Sequence, residues 1–453
     1  MKLLITGATG FIGLRLCQKL FSEGHELVIL SRNVSAAQKL FSYPVSVFTW
    51  NPETELVPPE ALQGVDGVIH LAGHPVAGGR WTLAVKKKIR DSRILGSQNL
   101  MRSIAAITTK PKVVVSASAI GFYGERGDET LTEDSKVGSG FLAEVCQDWE
   151  NAVLQNAPVG VRIAAIRIGI VLGNGGGALA KMLPIFKMGV GGKLGSGKQW
   201  MSWIHVDDLV NLFCEAVKNA DYRGVINGVA PSPVTNSEFT KTLASTLKRP
   251  AIFPAPAIGM KVVLGEMSTI VLASQKILPN NAVALRFSFQ FSLLESALNA
   301  ICADCDEEFF DCQFFTKPVA EVFAFFSNAE NLELLTPPWL HFHIVSTSTL
   351  NVEKNTLINY KLKIHGLPVK WQSIIEDYAP PTFFVDSQTN GPYKKWHHTH
   401  RFYEVAGGTL VMDHVRYRAP LGILGYAIAL LFIKRDLRRI FAYRQNQLAQ
   451  IFR

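Results

Sequence analysis

The strongest constraint on this chain lies in its first turn. Lys2-Leu-Leu-Ile-Thr6 has the β-branched, apolar character of a buried strand, and Thr6-Gly-Ala-Thr-Gly-Phe-Ile-Gly13 then sets glycines at 7, 10 and 13 where a helix opens. Glycine lets the backbone turn tightly and approach a pyrophosphate, whose charge meets unpaired N–H groups at a helix N-terminus. A glycine triplet alone is common in ordinary turns. Placed at the first turn of a βαβ unit it marks Gly7, Thr9, Gly10, Phe11, Ile12 and Gly13 as candidate cofactor contacts.

Further short apolar runs, Leu27 to Ser31, Gly67 to Ala72, Lys112 to Ser116 and Ala164 to Ile168, read as strands, with helical stretches between them. That alternation predicts a Rossmann-type, doubly wound parallel sheet of the α/β class. Glycine is dense from Gly173 to Gly197 and Pro recurs at 231, 233, 250, 254 and 256, which suits a small substrate lobe, mainly 174–200 and 230–300. At roughly 150 residues per domain, 453 residues leave room for more than one domain. After an acidic stretch from Cys302 to Asp311 the pattern changes to a strand, a helix (Val319 to Ser327), antiparallel strands from about His341 to Tyr417, and a long helix from about Leu424. The expectation is an α+β domain over 308–453 following a nucleotide domain over 1–304.

Composition limits the alternatives. With 48% hydrophobic and 18% charged residues, disordered and coiled-coil classes are excluded. The longest apolar run, Pro420 to Ile433, is 14 residues, short of the roughly 20 needed to span a bilayer. The N-terminus leaves no space for a signal peptide, and six Cys are too sparse for a disulfide scaffold, so a soluble, cytoplasmic protein is expected. The net charge is +9, but from His414 onward eight Arg or Lys face one Asp; much of the excess sits in one tail and reads as a solvated helix face, not a nucleic-acid or membrane surface.

At the end of the second strand, Leu30-Ser31-Arg32-Asn33 has no carboxylate to accept the ribose hydroxyls. Arg32 would instead pair with a 2′-phosphate, which favours NADP(H) over NAD(H).

These pieces resemble the short-chain dehydrogenase/reductase superfamily in its extended, epimerase-like form: Thr6 to Gly13, His70-Leu71-Ala72-Gly73, Ser116-Ala-Ser118 before Tyr123-Gly124, Arg167 to Gly173, and Trp203-Ile-His-Val-Asp-Asp208. Arg80-Trp81, Asp91-Ser-Arg93, Phe141-Leu-Ala-Glu144, Trp149-Glu150, Gly195 to Trp200 and Ala230 to Thr235 resemble its atypical, sugar-nucleotide epimerase-like branch. The resemblance implies cofactor contacts at Leu71, Ala72, Gly73, Ser116 and Arg167 as well. The superfamily's proton chemistry uses a Tyr with Lys four residues on, the Lys lowering the phenol's pKa. None of the ten Tyr here has that Lys, and Arg93 stands where the superfamily places an Asn. Ser118, Tyr123, Arg93 and Glu144 remain as candidate catalytic residues. An oxidoreductase acting on a carbonyl or nucleotide-sugar substrate is the first expectation, and a non-catalytic NADP(H) sensor the second.

From about residue 308, Pro318 to Phe326, Leu335 to Trp339, Gly391 to Trp396 and Phe432 to Arg444 resemble the START-like helix-grip superfamily, which implies a cavity for a hydrophobic small molecule. Gly192 to Lys198 nearly spells a P-loop, but Gln199 stands where the Mg²⁺-binding hydroxyl is needed. Cys302, Cys305 and Cys312 offer three thiols without a fourth ligand. His398 and His400 share one strand face, yet no carboxylate stands close in sequence, so cavity lining and no metal are expected.

Overall fold

The structure, a computed structural model, describes residues 1–302, 307–349, 351–405, 407–420 and 432–452. Its chain divides into two compact units, Met1–Phe41 with Val45–Ala303, and Ser42–Pro44 with Asp304–Arg453.

The first unit is built on seven parallel strands: β1 (Lys2–Thr6), β2 (Glu26–Ser31), β3 (Ser46–Thr49), β4 (Gly67–His70), β5 (Val113–Ala119), β6 (Arg162–Ile168) and β7 (Gly224–Gly228). They lie in the order β7-β6-β5-β4-β1-β2-β3. Leu3, Leu4 and Ile5 of β1 and Val113, Val114 and Val115 of β5 are all buried, as expected of central parallel strands covered on both faces. From β1 the chain moves one way across the sheet to β2, and from β4 the other way to β5. Right-handed crossovers therefore put the intervening helices, α1 (Phe11–Ser22) and α2 (Leu83–Ala106), on opposite faces. Helix α2 packs against α3 (Phe141–Leu154), and α1 against α4 (Val206–Lys218). The order reverses between β1 and β4, where open α/β sheets bind their ligands, and the glycine turn sits there.

Two strands, β3 and β7, escape the sequence reading because β3 is nowhere fully buried and β7, Gly-Val-Ile-Asn-Gly, holds only two apolar side chains. The run expected to extend to Ala72 stops at His70: Leu71 N donates to Thr6 O, and Ala72 N leaves the ladder to bond the Thr6 hydroxyl.

The second unit is an antiparallel sheet of β8 (Glu307–Phe315), β9 (His343–Thr347), β10 (Leu357–Ile364), β11 (Leu367–Ala379), β12 (Phe383–Asn390), β13 (Lys395–Val405) and β14 (Gly408–Arg418), ordered β8-β14-β13-β12-β11-β10-β9. Helices α5 (Val319–Phe326) and α6 (Lys434–Ile451) bury Val322 and Phe323, and Leu437, Phe441 and Leu448, in cores shared with its strands. This is the arrangement expected of a helix-grip fold. The expected start of the terminal helix near Leu424, the apolar positions Leu424, Ala427 and Leu431, Cys305, and the border near residue 305 lie outside the described residues. Among the described residues no helix is long and apolar enough to cross a membrane.

Candidate functional site

The β1–α1 turn has no room for a side chain at Gly7 or Gly13. Gly7 has φ +70°, and a Cβ on it would stand 2.7 Å from the carbonyl carbon of Leu71. One on Gly13 would meet the Gly7 carbonyl oxygen at 2.3 Å. The backbone at Gly7 is thereby pressed against Leu71 and Ala72, and Thr9 and Gly10 stand exposed at the mouth. The first turn of α1 carries no acidic side chain that would repel a diphosphate. Phe11 is packed beneath the loop after β6: a Cβ on Gly176 would lie 2.3 Å from the Phe11 ring, which accounts for part of the glycine density there. Arg15 reinforces the contact through Asn174 O at 3.1 Å and Asp207 at 3.3 Å.

A second clamp joins the first residues of the Thr6–Gly13 and His70–Gly73 motifs. Thr6 Oγ1 lies 2.7 Å from His70 Nδ1, and His70 Nε2 lies 3.1 Å from Ser97 Oγ. Burial pushes the His70 imidazole down to about 4, so it joins β1, β4 and α2 as a neutral ring.

Arg32 stands exposed at the end of β2, followed by Asn33, whose side chain caps a short helix by accepting from Ala36 N at 2.9 Å. Among the described residues Arg32 makes no ion pair. Arg93 of α2 lies under the turn after β4, with Nη1 donating to His74 O and Ile89 O at 3.0 Å and its guanidinium against Gly73 and over the Trp149 ring.

Ser118, Tyr123 and Arg167 come together, but in the interior. Ser118 Oγ donates to Glu150 Oε1 at 2.6 Å, and Arg167 clasps the same carboxylate with Nε and Nη2, each at 2.8 Å. Arg167 Nη1 donates to the Tyr123 hydroxyl at 2.9 Å, which donates to Asn227 Oδ1 at 2.7 Å; Asn227 Nδ2 ends the chain on Leu278 O. Tyr123 is fully buried, and that burial raises its pKa despite the neighbouring guanidinium. Ser116 is buried and donates to Ala117 O. Glu144 is exposed in the first turn of α3, away from this group. Arg167, expected beside the cofactor, thus spends its donors on Glu150 and Tyr123. Glu150 stood out only as part of Trp149-Glu150, with no role attached, and Asn227 gave no signal, because their roles exist only through partners 17 to 104 residues away.

Over the expected substrate lobe, Asp208 of α4 accepts from Gln290 N and Phe291 N at 2.8 and 3.0 Å, pinning that segment. A cavity of about 640 Å³ is lined by Glu125, Asp128, Ser196, Lys198 and Lys261 among others. The near-P-loop is followed by short strands Trp200–Met201 and Trp203–His205 instead of a phosphate-capping helix.

The second unit encloses a cavity of about 380 Å³ whose walls include Tyr360, Trp371, Phe384, Trp396 and Phe441. One wall is polar, with His398 and His400 among its lining residues. Carboxylates do stand beside His398 and His400: strand pairing sets Asp386 opposite His398 and Asp413 opposite His400. The signal is cross-strand register, invisible in linear spacing.

Residues 3–227 match the NAD dependent epimerase/dehydratase family, residues 255–301 a domain of unknown function, and residues 316–444 the polyketide cyclase/dehydrase and lipid transport family. The chain belongs to the epimerase family: an atypical short-chain dehydrogenase/reductase of a class that binds NAD(P), carrying a C-terminal cyclase/dehydrase domain. It is 45% identical over 306 residues to the chloroplastic epimerase family protein SDR39U1 homolog of Arabidopsis thaliana, covering 66% of this chain and 86% of that one. With the epimerase family protein YfhF of Bacillus subtilis the identity is 38%, covering 67% and 99%. Among solved structures, human epimerase family protein SDR39U1 (isoform 2) with NADPH aligns at 32% identity with a TM-score of 0.61, over 67% of this chain and all of that one.

Proposed function

We propose that the chain is an NADP(H)-dependent oxidoreductase of the atypical epimerase-like type, with a nucleotide domain over 1–304 and a hydrophobic-ligand domain over 308–453. The observation that carries the cofactor choice is Arg32, an exposed guanidinium without an ion-pair partner among the described residues, at the strand end where NAD enzymes place a carboxylate. The human relative crystallised with NADPH supports it. Bound there, NADP(H) supplies or accepts a hydride. Gly7, Thr9, Gly10, Phe11, Ile12 and Gly13 hold the diphosphate by backbone amides, Leu71, Ala72 and Gly73 flank it, and the lobe over 174–200 and 230–300 covers the substrate. Arg93, beside Gly73 at the sheet's switch point, orients an oxygen-bearing substrate; the charged lining of the lobe cavity suits a polar one. Ser118, Tyr123, Ser116 and Arg167 hold the walls of this site.

The inward direction of the Ser118 and Tyr123 hydroxyls favours a second reading, a sensor that binds NADP(H) without turnover. Following NADPH absorbance over a panel of carbonyl compounds and nucleotide sugars separates the two. An oxidoreductase consumes NADPH with at least one member, and Arg93→Ala raises its KM. Tight binding with unchanged absorbance throughout rejects the first reading in favour of the second.

A further inference from the structure

The polar wall of the second unit's cavity is organised about two imidazoles. Asp386, His398 and His400 line the cavity. Asp386 Oδ1 lies 3.3 Å from His398 Nδ1 and 3.1 Å from His400 Nε2. The three residues offer ligand atoms all within 4.8 Å of one another. Behind them, Asp413 Oδ1 lies 3.0 Å from His398 Nε2 and 2.6 Å from His400 Nδ1, the latter contact not aligned as a hydrogen bond. Arg444 reaches over from α6 to within 3.6 Å of Asp413.

We propose that Asp386, His398 and His400 bind one divalent transition-metal ion at the cavity wall, with Asp413 orienting the His398 ring from behind. Two imidazoles and one carboxylate suit ions of the iron to zinc group. Bonds of about 2.0–2.1 Å place neighbouring ligand atoms roughly 3.0–3.4 Å apart, and both Asp386 contacts fall in that range. Of the four close N···O approaches, His398 Nε2 to Asp413 and His400 Nε2 to Asp386 are hydrogen bonds. A cation on the Asp386 side would take the lone pairs of His398 Nδ1 and His400 Nε2, displacing the second of these and leaving His398 Nε2–H directed to Asp413. Metal-bound histidines commonly direct the opposite ring nitrogen to such a carboxylate.

Asp413 is the outer partner and not the ligand, because Arg444 already offsets its charge and it does not line the cavity. The remaining coordination positions open onto apolar walls, so the metal would orient a hydrophobic molecule through an oxygen atom.

The test uses the untagged full chain after dialysis against EDTA, titrated with ZnCl₂ by calorimetry and with CoCl₂ by visible absorption. One equivalent of Zn²⁺ and a cobalt d–d spectrum without a thiolate charge-transfer band are expected. Asp386→Asn and His400→Gln should lose that equivalent, and Asp413→Asn should weaken Zn²⁺ by about 10- to 100-fold at unchanged stoichiometry. No binding by the wild-type chain, or the same stoichiometry in Asp386→Asn and His400→Gln, overturns the proposal. If those two variants do not fold, the wild-type cobalt spectrum decides: a thiolate band places the ion on cysteine and rejects the site.

Discussion

Each unit buries a charged network, and the two are finished differently. In the first, Ser118, Glu150, Arg167, Tyr123 and Asn227 form a chain in which each partner is met by the next, ending on a backbone carbonyl. In the second, Asp386, His398, His400 and Arg444 stand at a cavity wall with Asp413 behind them, and Arg444 Nε and His400 Nδ1 are buried without hydrogen-bond partners among the described residues. A saturated network ties strands and helices together and has no valence left for a ligand. An unsaturated one beside an empty volume has both.

The largest effect should come from opening the saturated network. Glu150→Gln leaves Arg167 as an uncompensated buried cation, and a loss of about 3–5 kcal/mol is expected by chemical denaturation. A change below 1 kcal/mol would contradict the view that this ion pair is structural.

Tyr123→Phe removes the link between Arg167 and Asn227 and should cost about 1–3 kcal/mol while leaving NADPH affinity within twofold. A stable variant with abolished turnover would instead make the phenol a catalytic group, and would show that the network is less closed than its geometry implies.

A pH-dependent effect belongs to the second unit. Burial, aided by the charge of Asp413, raises the Asp311 carboxyl to about 7 from 3.8. The folded form therefore holds a proton that the unfolded chain releases, and stability falls as pH rises from about 4 to about 7. Asp311→Asn should flatten that slope, raising Tm at pH 8 relative to the wild type but not at pH 4. Equal Tm differences at both pH values would show that Asp311 is already charged.

These contrasts explain what could be read in advance. Gly7, Gly10 and Gly13 were legible because the demand for bare backbone is local to one turn, and β1, β2, β4, β5 and β6 because each carries a compact apolar run. Ser118 and Tyr123 were located as neighbours, but their inward direction depends on Glu150 and Asn227, which lie on other elements. His398 and His400 showed their shared face through alternation. Asp386 and Asp413 did not, since a strand's partner is set by turns and register 12 to 15 residues away, and spacing along the chain carries no such information.

The most direct test of the account is calorimetry of the intact chain with NADPH and NADH, beside Arg32→Asp. NADPH should bind more tightly than NADH, and Arg32→Asp should remove about 1.5–3 kcal/mol, roughly 10- to 100-fold, from NADPH alone. Equal binding of the two coenzymes by the wild type, or an equal loss for both in the variant, would contradict the assignment of the 2′-phosphate to Arg32.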